Sequence, residues 1–322
     1  MQGRVLIRGS QRDTPPDRHT AQPAPGRGLS VFAHPKLGYG DVVGSAKADG
    51  DADAVEPDVA PRDEEATFDR LVDEGTQRLG RSWVQLIATG LLGGLDIGVG
   101  LLAFLLVKHL THNELLAGVA FSSGFIALTL ARSELFTENF LVPVVAVVAK
   151  SGTFIALMRL WATTLVTNLV AGWLLMALFA LAIPDLAETA IETAQKYVDL
   201  GVTWHAFALA VVGGMLITVM THLQHATESD GVRLVPAVIV GVLLSIGHVN
   251  HAIVASIDCF AALVAGAPFG YADWGEMVVV AIVGNVIGGV GLVTVLRLMQ
   301  IPHKVIGERD DNDSKPRGRR AR

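Results

Sequence analysis

Cysteine is almost absent from this chain. Cys259 is the single one in 322 residues, which excludes a disulfide framework. Charge is scarce as well, at 17% of residues against 51% hydrophobic. The deficit is local. Of 25 Lys and Arg, 11 precede Trp83, 8 follow Leu296, and only 6 occupy the 214 residues between. That middle section lacks the charge to clothe a water-soluble domain, so it reads as membrane-embedded. A formal net charge of −6 gives no case for nucleic-acid binding.

What is present falls into four parts. Residues 1–65 are rich in Pro, Gly, Asp and Arg and lack apolar periodicity, as in Asp49-Gly50-Asp51-Ala52-Asp53. Such a segment cannot bury enough surface to offset its ordering entropy and reads as a disordered cytoplasmic tail. The first 30 residues lack the uninterrupted apolar core of a secretory signal. Residues 66–82 place Phe68, Leu71, Val72 and Leu79 near helical spacing, which predicts a short amphipathic helix at the membrane surface. Residues 83–299 form the membrane domain, and residues 300–322 a basic cytoplasmic tail suited to solvent or to anionic lipid.

Within 83–299, apolar stretches can be measured against the roughly 20 residues a spanning helix needs. Six segments result: from Val84, Leu115, Leu160, Leu200, Leu234 and Met277 onward. The second is interrupted by the polar run Arg132–Asn139, and the fifth by Gly247-His248-Val249-Asn250-His251. Thr137 and His251 lie 114 residues apart, and the first segments of the two halves start 116 apart. Matching interruptions at a constant offset predict an all-α membrane protein of six transmembrane helices in two inverted three-helix repeats, with helices 2 and 5 broken. Hydrocarbon does not tolerate unpaired backbone, so breaks at membrane depth belong beside a polar path. The Lys and Arg distribution places both termini in the cytoplasm, with the net-acidic loop 185–199 outside.

The interruptions also hold the polar side chains. Arg132, Glu134 and Glu138 cluster at the first. Intramembrane charges are functional candidates, although these three could equally neutralise one another and pin the loop. Thr137 offers a hydroxyl to an anion or to the opposing break. His248 and His251 occupy the second, where an imidazole can bind a weak-acid anion and exchange a proton with it. His248, His251 and Asp258 could alternatively suggest a metal site, but this requires helix continuity across the break. His222, His225, Glu228 and Asp230 read as a solvated cytoplasmic turn. Asp96, among Gly93, Gly94 and Gly98, reads as a bonding partner for a neighbouring break. Gly284 and Gly288 give the last span a close-contact face, and Asn285 is placed to donate toward a break or another helix.

Ser133-Glu134-Leu135-Phe136-Thr137-Glu138-Asn139 resembles the loop signature of the formate/nitrite transporter family. Gly247–His251 followed by Ala252-Ile253 resembles that family's fifth-helix loop, and Val283-Gly284-Asn285-Val286-Ile287-Gly288-Gly289 its sixth-helix motif. The three occur in the family's order. The resemblance implies an aquaporin-like fold, a homopentamer, and a pore in each protomer for small monovalent anions. By position, Thr137 is the loop hydroxyl, His251 the central histidine and Asn285 the last-helix asparagine. Phe121, Phe125 and Leu244 correspond to the constriction, and Lys196 to a vestibule lysine. By the resemblance, Gly213 or Gly214 stands at the fourth-helix asparagine position, and Arg132 stands where members have a small residue. These departures suggest a divergent branch.

The sequence therefore predicts an inner-membrane channel or transporter for weak-acid anions, proton-coupled, needing no cofactor and not an enzyme. Its partners would be the anion, membrane lipid and further copies of itself. A metal-dependent membrane enzyme and a neutral-solute channel are the alternatives. The Asn-Pro-Ala pair usual in the latter is absent.

Overall fold

The computed structural model describes residues 61–314, with side chains from residue 64 onward. The disordered-tail expectation therefore lies outside the described residues up to 60, as does the basic end from 315. Every regular element among the described residues is helical.

Helix α1 (Pro61–Leu79) leads into α2 (Trp83–Thr111). Ser82 and Gln85 form a capping box there, pairing amides that would otherwise face the membrane boundary without partners. Next come α3 (Glu114–Ala131), a 3-10 turn (Thr137–Phe140) and α4 (Val142–Val148). The remaining helices are α5 (Phe154–Ala182), α6 (Ala187–Val198), α7 (Trp204–His225), α8 (Asp230–Ile246) and α9 (Ala252–Val264). Finally α10 (Tyr271–Val286) runs through a π-helical stretch (Ile287–Thr294) into α11 (Val295–Gln300), and α12 (Pro302–Ser314) follows. Asn113, Thr153 and Thr203 cap α3, α5 and α7 by accepting from amides three residues on.

Five helices are long and apolar enough to cross a membrane: α2, α3, α5, α7 and the continuous helix Tyr271–Gln300. Thr137–Val148 and α9 are apolar but shorter. The second and fifth apolar segments are thus each divided between two helices, α3 with α4 and α8 with α9. Exposed apolar side chains include Ile155, Val166, Leu174, Leu178 and Leu181 on α5 alone, a surface suited to hydrocarbon.

Glycines set how closely the helices approach. A Cβ on Gly100 would press on the backbone of Gly124, joining α2 to α3. One on Gly284 or Gly288 would overlap Ala210 or the Val211 carbonyl of α7, which agrees with the close-contact face read from the sequence.

Three stretches differ from expectation. Residues 185–199, read as an outer loop, form the amphipathic α6, which buries Ala190, Ala194 and Tyr197. Residues beyond 300 continue as a helix that docks. In α12, Lys304 pairs with Asp69 of α1 at 3.0 Å, and Asn312 donates to the Ala149 carbonyl at 3.0 Å. The turn at His222 and His225 is not solvated, because α1 packs on it: Arg70 donates to the His225 carbonyl at 2.9 Å and Glu74 meets His225 Nε2 at 2.9 Å.

Candidate functional site

Each interruption needs a partner for the backbone it exposes, and one asparagine supplies it in each half. After α3 the chain turns through Arg132 in the left-handed region (φ 53°) and runs without helix to the 3-10 turn at Thr137. Asn168, buried in α5, spans this stretch. Its Oδ1 accepts from the Phe136 amide at 2.9 Å, while Nδ2 donates to the carbonyls of Gly90 at 2.7 Å and Glu134 at 2.9 Å. After α8 the chain turns through His248, also left-handed (φ 44°). Here Asn285 Oδ1 accepts from the Ala252 amide at 2.9 Å, and Nδ2 donates to Ala210 at 2.7 Å and Asn250 at 3.0 Å. The two asparagines make equivalent sets of bonds.

The glycine pairs are equivalent as well. A Cβ on Gly93 or Gly94 would collide with the Glu134 or Asn168 backbone, and one on Gly214 would collide with the Asn285 backbone. Gly213 and Gly214 are therefore where Asn285 passes close to α7. The donor the resemblance sought on the fourth span is present on the third, as Asn168.

Between the interruptions, Thr137 Oγ1 lies 2.7 Å from His251 Nε2, both fully buried. His251 also caps α9, its Nδ1 accepting from the Val254 amide at 3.2 Å. In the neutral ring the proton then resides on Nε2 and is donated to Thr137 Oγ1. That leaves the threonine hydroxyl proton free for a third partner. This contact joins the two interruptions.

The acidic side chains of the first interruption are not balanced by Arg132. Arg132 is exposed and makes no ion pair among the described residues. Glu134, buried, instead pairs with Arg81 and with Arg78 Nε at 3.2 Å, both from the α1 side. Arg78 also pairs with Glu74 and donates to Asn139 Oδ1 at 3.1 Å. Burial alone would lower the Arg78 pKa, but the charges of Glu134, Glu74 and Glu138 hold it above the ordinary arginine value. For Glu74, burial pushes upward, but the His225 hydrogen bond and the charge of Arg78 outweigh it and hold the carboxyl well below the usual range. Glu138 Oε2 accepts from the Leu135 amide at 3.3 Å, and Asp96 accepts from the Ser133 hydroxyl.

Phe121 and Phe125 of α3 are buried edge to face, with centroids 5.8 Å apart, in one apolar cluster with Leu244 of α8. At the end of the bundle away from α1, Lys196 Nζ meets Glu114 Oε1 at 2.6 Å and His248 Nε2 at 3.3 Å. Lys108, buried, donates to Thr193 Oγ1 at 3.1 Å and lies 3.6 Å from Glu114. Among the described residues, no three His, Cys, Asp or Glu are grouped to hold a metal ion.

Sequence reasoning missed Asn168, Arg78, Arg81 and Lys108 as parts of this seam. Asn168 carries a usable signal: it is the one asparagine in its span and precedes Asn285 by 117 residues, close to the repeat offset.

Fold and site together define a multi-pass, all-helical membrane protein whose polar side chains collect along an interior seam. The Formate/nitrite transporter family profile matches residues 65–299. The chain belongs to that family. It is 24% identical over 275 residues to the inner membrane protein YfdC of Escherichia coli (strain K12), covering 79% of this chain and 84% of that one. Among solved structures, an FNT family ion channel matches with TM-score 0.64 at 13% identity, covering 73% of this chain and 98% of that one. A pentameric formate channel with formate bound matches with TM-score 0.59 at 19% identity, over 68% and 97%.

Proposed function

We propose that the chain conducts small monovalent weak-acid anions across the inner membrane, with a proton accompanying the anion. The observation that carries this reading is the Thr137–His251 contact, buried between two interruptions that are each held open by one asparagine. In this reading the helix pairs α3–α4 and α8–α9 are two broken spans, and the protein has six spans in two inverted repeats of aquaporin-like design. The equivalent bonds of Asn168 and Asn285 support the repeat. The pentameric solved relative supports a homopentamer with one pore per protomer.

An anion arriving from outside meets Lys196 and then the apolar constriction of Phe121, Phe125 and Leu244. A bare anion is strongly disfavoured there, and the conjugate acid far less so. Beyond it, the Thr137 hydroxyl, oriented by the His251 Nε2–H group it accepts from, is the donor that receives the permeant. Asn285 and Asn168 keep the two loops in place. On the inner side Arg132 occupies the position His248 holds on the outer side, so the two mouths present a basic group each. Glu134 fixes Arg78 and Arg81 beside the inner mouth. In this topology residues 66–82, which run from α1 to the cap of α2, lie along the cytoplasmic membrane face, the basic end follows α12, both termini are cytoplasmic, and no enzymatic step is involved.

Proteoliposomes containing Thr137→Val or His251→Ala should take up formate at least tenfold more slowly than wild type at equal protein content. Wild-type formate uptake in both variants would remove the seam from the mechanism.

A further inference from the structure

Asp258 plays no part in the path described so far, although it is a buried acid with an unpartnered carboxyl oxygen. It projects from α9, is 4% exposed, and its Oδ1 has no hydrogen-bond partner. That oxygen belongs to a side chain lining a cavity of about 10 Å³, room for about one water. The cavity has two kinds of wall. Phe121 of the constriction lines it, and so do His248 of the outer mouth and Thr193, which holds Lys108. A carboxyl left unpaired in such a place is costly unless it is protonated or shares a proton with a neighbour.

The groups facing it can be named. Lys108 of α2 acts on Asp258 through space, and Tyr197 of α6 lines the same cavity. His248 is the loop contribution, and Cys259 is its neighbour on α9. Glu114 and Lys196 stand one layer out, bonded to His248. From α10, Asp273 and Glu276 are exposed, and α5 has no charged residue beyond Arg159. No other acid lines the cavity.

Resting on the weak-acid reading above, we infer that Asp258 is a proton-exchanging residue of the outer mouth, acting through a water that its cavity has room to admit. The carboxyl O–H bond breaks and its proton passes through that water to the anion waiting at Lys196 and His248. A new O–H bond forms on the permeant, which crosses Phe121 as the neutral acid. Asp258, left as carboxylate beside Lys108, regains a proton from the outer solution. One proton is thereby taken up from outside for each anion.

The test is formate uptake by proteoliposomes of the full chain from pH 5 to 8, with internal pH followed by a trapped dye. Asp258→Asn should lose at least tenfold of its uptake at pH 7 and recover at pH 5, where more of the formate enters already protonated. Asp258→Glu, which keeps an acid one methylene further into the cavity, should retain uptake with a displaced pH profile. A structural carboxyl would change the amount of folded protein and leave the profile of the folded fraction in place, so a wild-type profile in Asp258→Glu overturns the inference even where Asp258→Asn does not assemble. A wild-type profile with undiminished proton uptake in Asp258→Asn overturns it too. If wild type itself moves no weak acid, the parent reading fails and this one falls with it.

Discussion

Asn168→Ala is the most informative single change in the membrane domain. The substitution removes one acceptor and two donors at once, stranding the Phe136 amide and the Glu134 carbonyl and leaving the Gly90 carbonyl with its helical bond alone. Buried protein hydrogen bonds are worth roughly 1–1.5 kcal/mol each, which puts the loss at about 3–5 kcal/mol. Bonds between membrane helices average nearer 0.6 kcal/mol, which sets a lower bound of about 2 kcal/mol. Asn285→Ala strands an equal set and should lose a similar amount. Asn168→Asp keeps the acceptor and offers one donor only when its carboxyl is protonated, so it should fall between Ala and wild type in that state alone. The assay is reversible unfolding of the detergent-solubilised protein by denaturant, followed by tryptophan fluorescence, with formate uptake measured in parallel. If Asn168→Ala lies within 1 kcal/mol of wild type, the loop is not held as described. If Asn285→Ala is severe and Asn168→Ala is not, the equivalence of the two halves fails.

Other consequences concern the ion pairs around Glu134 and the glycine contacts. Arg78→Ala leaves Glu134 buried with only Arg81, and should destabilise by about 3–5 kcal/mol in the same unfolding assay. Glu134→Gln should be less severe, because no buried anion is left unpaired. Gly214→Ala drives a methyl group into the Asn285 backbone and should abolish assembly on size-exclusion chromatography, whereas Gly291→Ala, with open space around it, should be silent. Glu74 has its pKa lowered on folding, so its contribution to docking α1 is present above the ordinary carboxylate value and is lost as pH falls through its folded value. The protection of α1 amides, corrected for the intrinsic pH dependence of exchange, should therefore hold from pH 8 to 5 and fall below about pH 4, and Glu74→Gln should remove that acid dependence.

The positions of both interruptions were legible because each breaks an apolar run with Gly, His, Asn, Glu or Arg. Their constant offset pointed to Thr137 and His251 as opposed residues, and these are in contact. What sequence could not supply was direction. Arg132 sits among acids in the chain, yet the left-handed turn at its own Cα aims it outward, and arginines some 50 residues earlier reach Glu134 instead. Asn168 was hidden because one amide in 25 uncharged residues looks like a tolerated polar substitution. Only the backbone it satisfies, exposed by a break elsewhere, reveals its role. Residues 185–199 looked like an acidic loop because their charges are prominent, while the buried face rests on small residues, Ala190 and Ala194, which carry little periodic signal. The glycines at 213 and 214 suggested a missing donor for the same reason: a sequence records which residue is absent, but not which backbone needs the space.

The central claim is that the Thr137–His251 seam carries weak-acid anions. Stopped-flow uptake by wild-type proteoliposomes, comparing formate with glycerol at pH 5.5 and pH 7.5, tests it most directly. The account predicts rapid formate uptake that is faster at pH 5.5, with internal acidification and no glycerol uptake above protein-free vesicles. Glycerol uptake equal to that of formate, or formate uptake no faster than in empty vesicles at either pH, would contradict it.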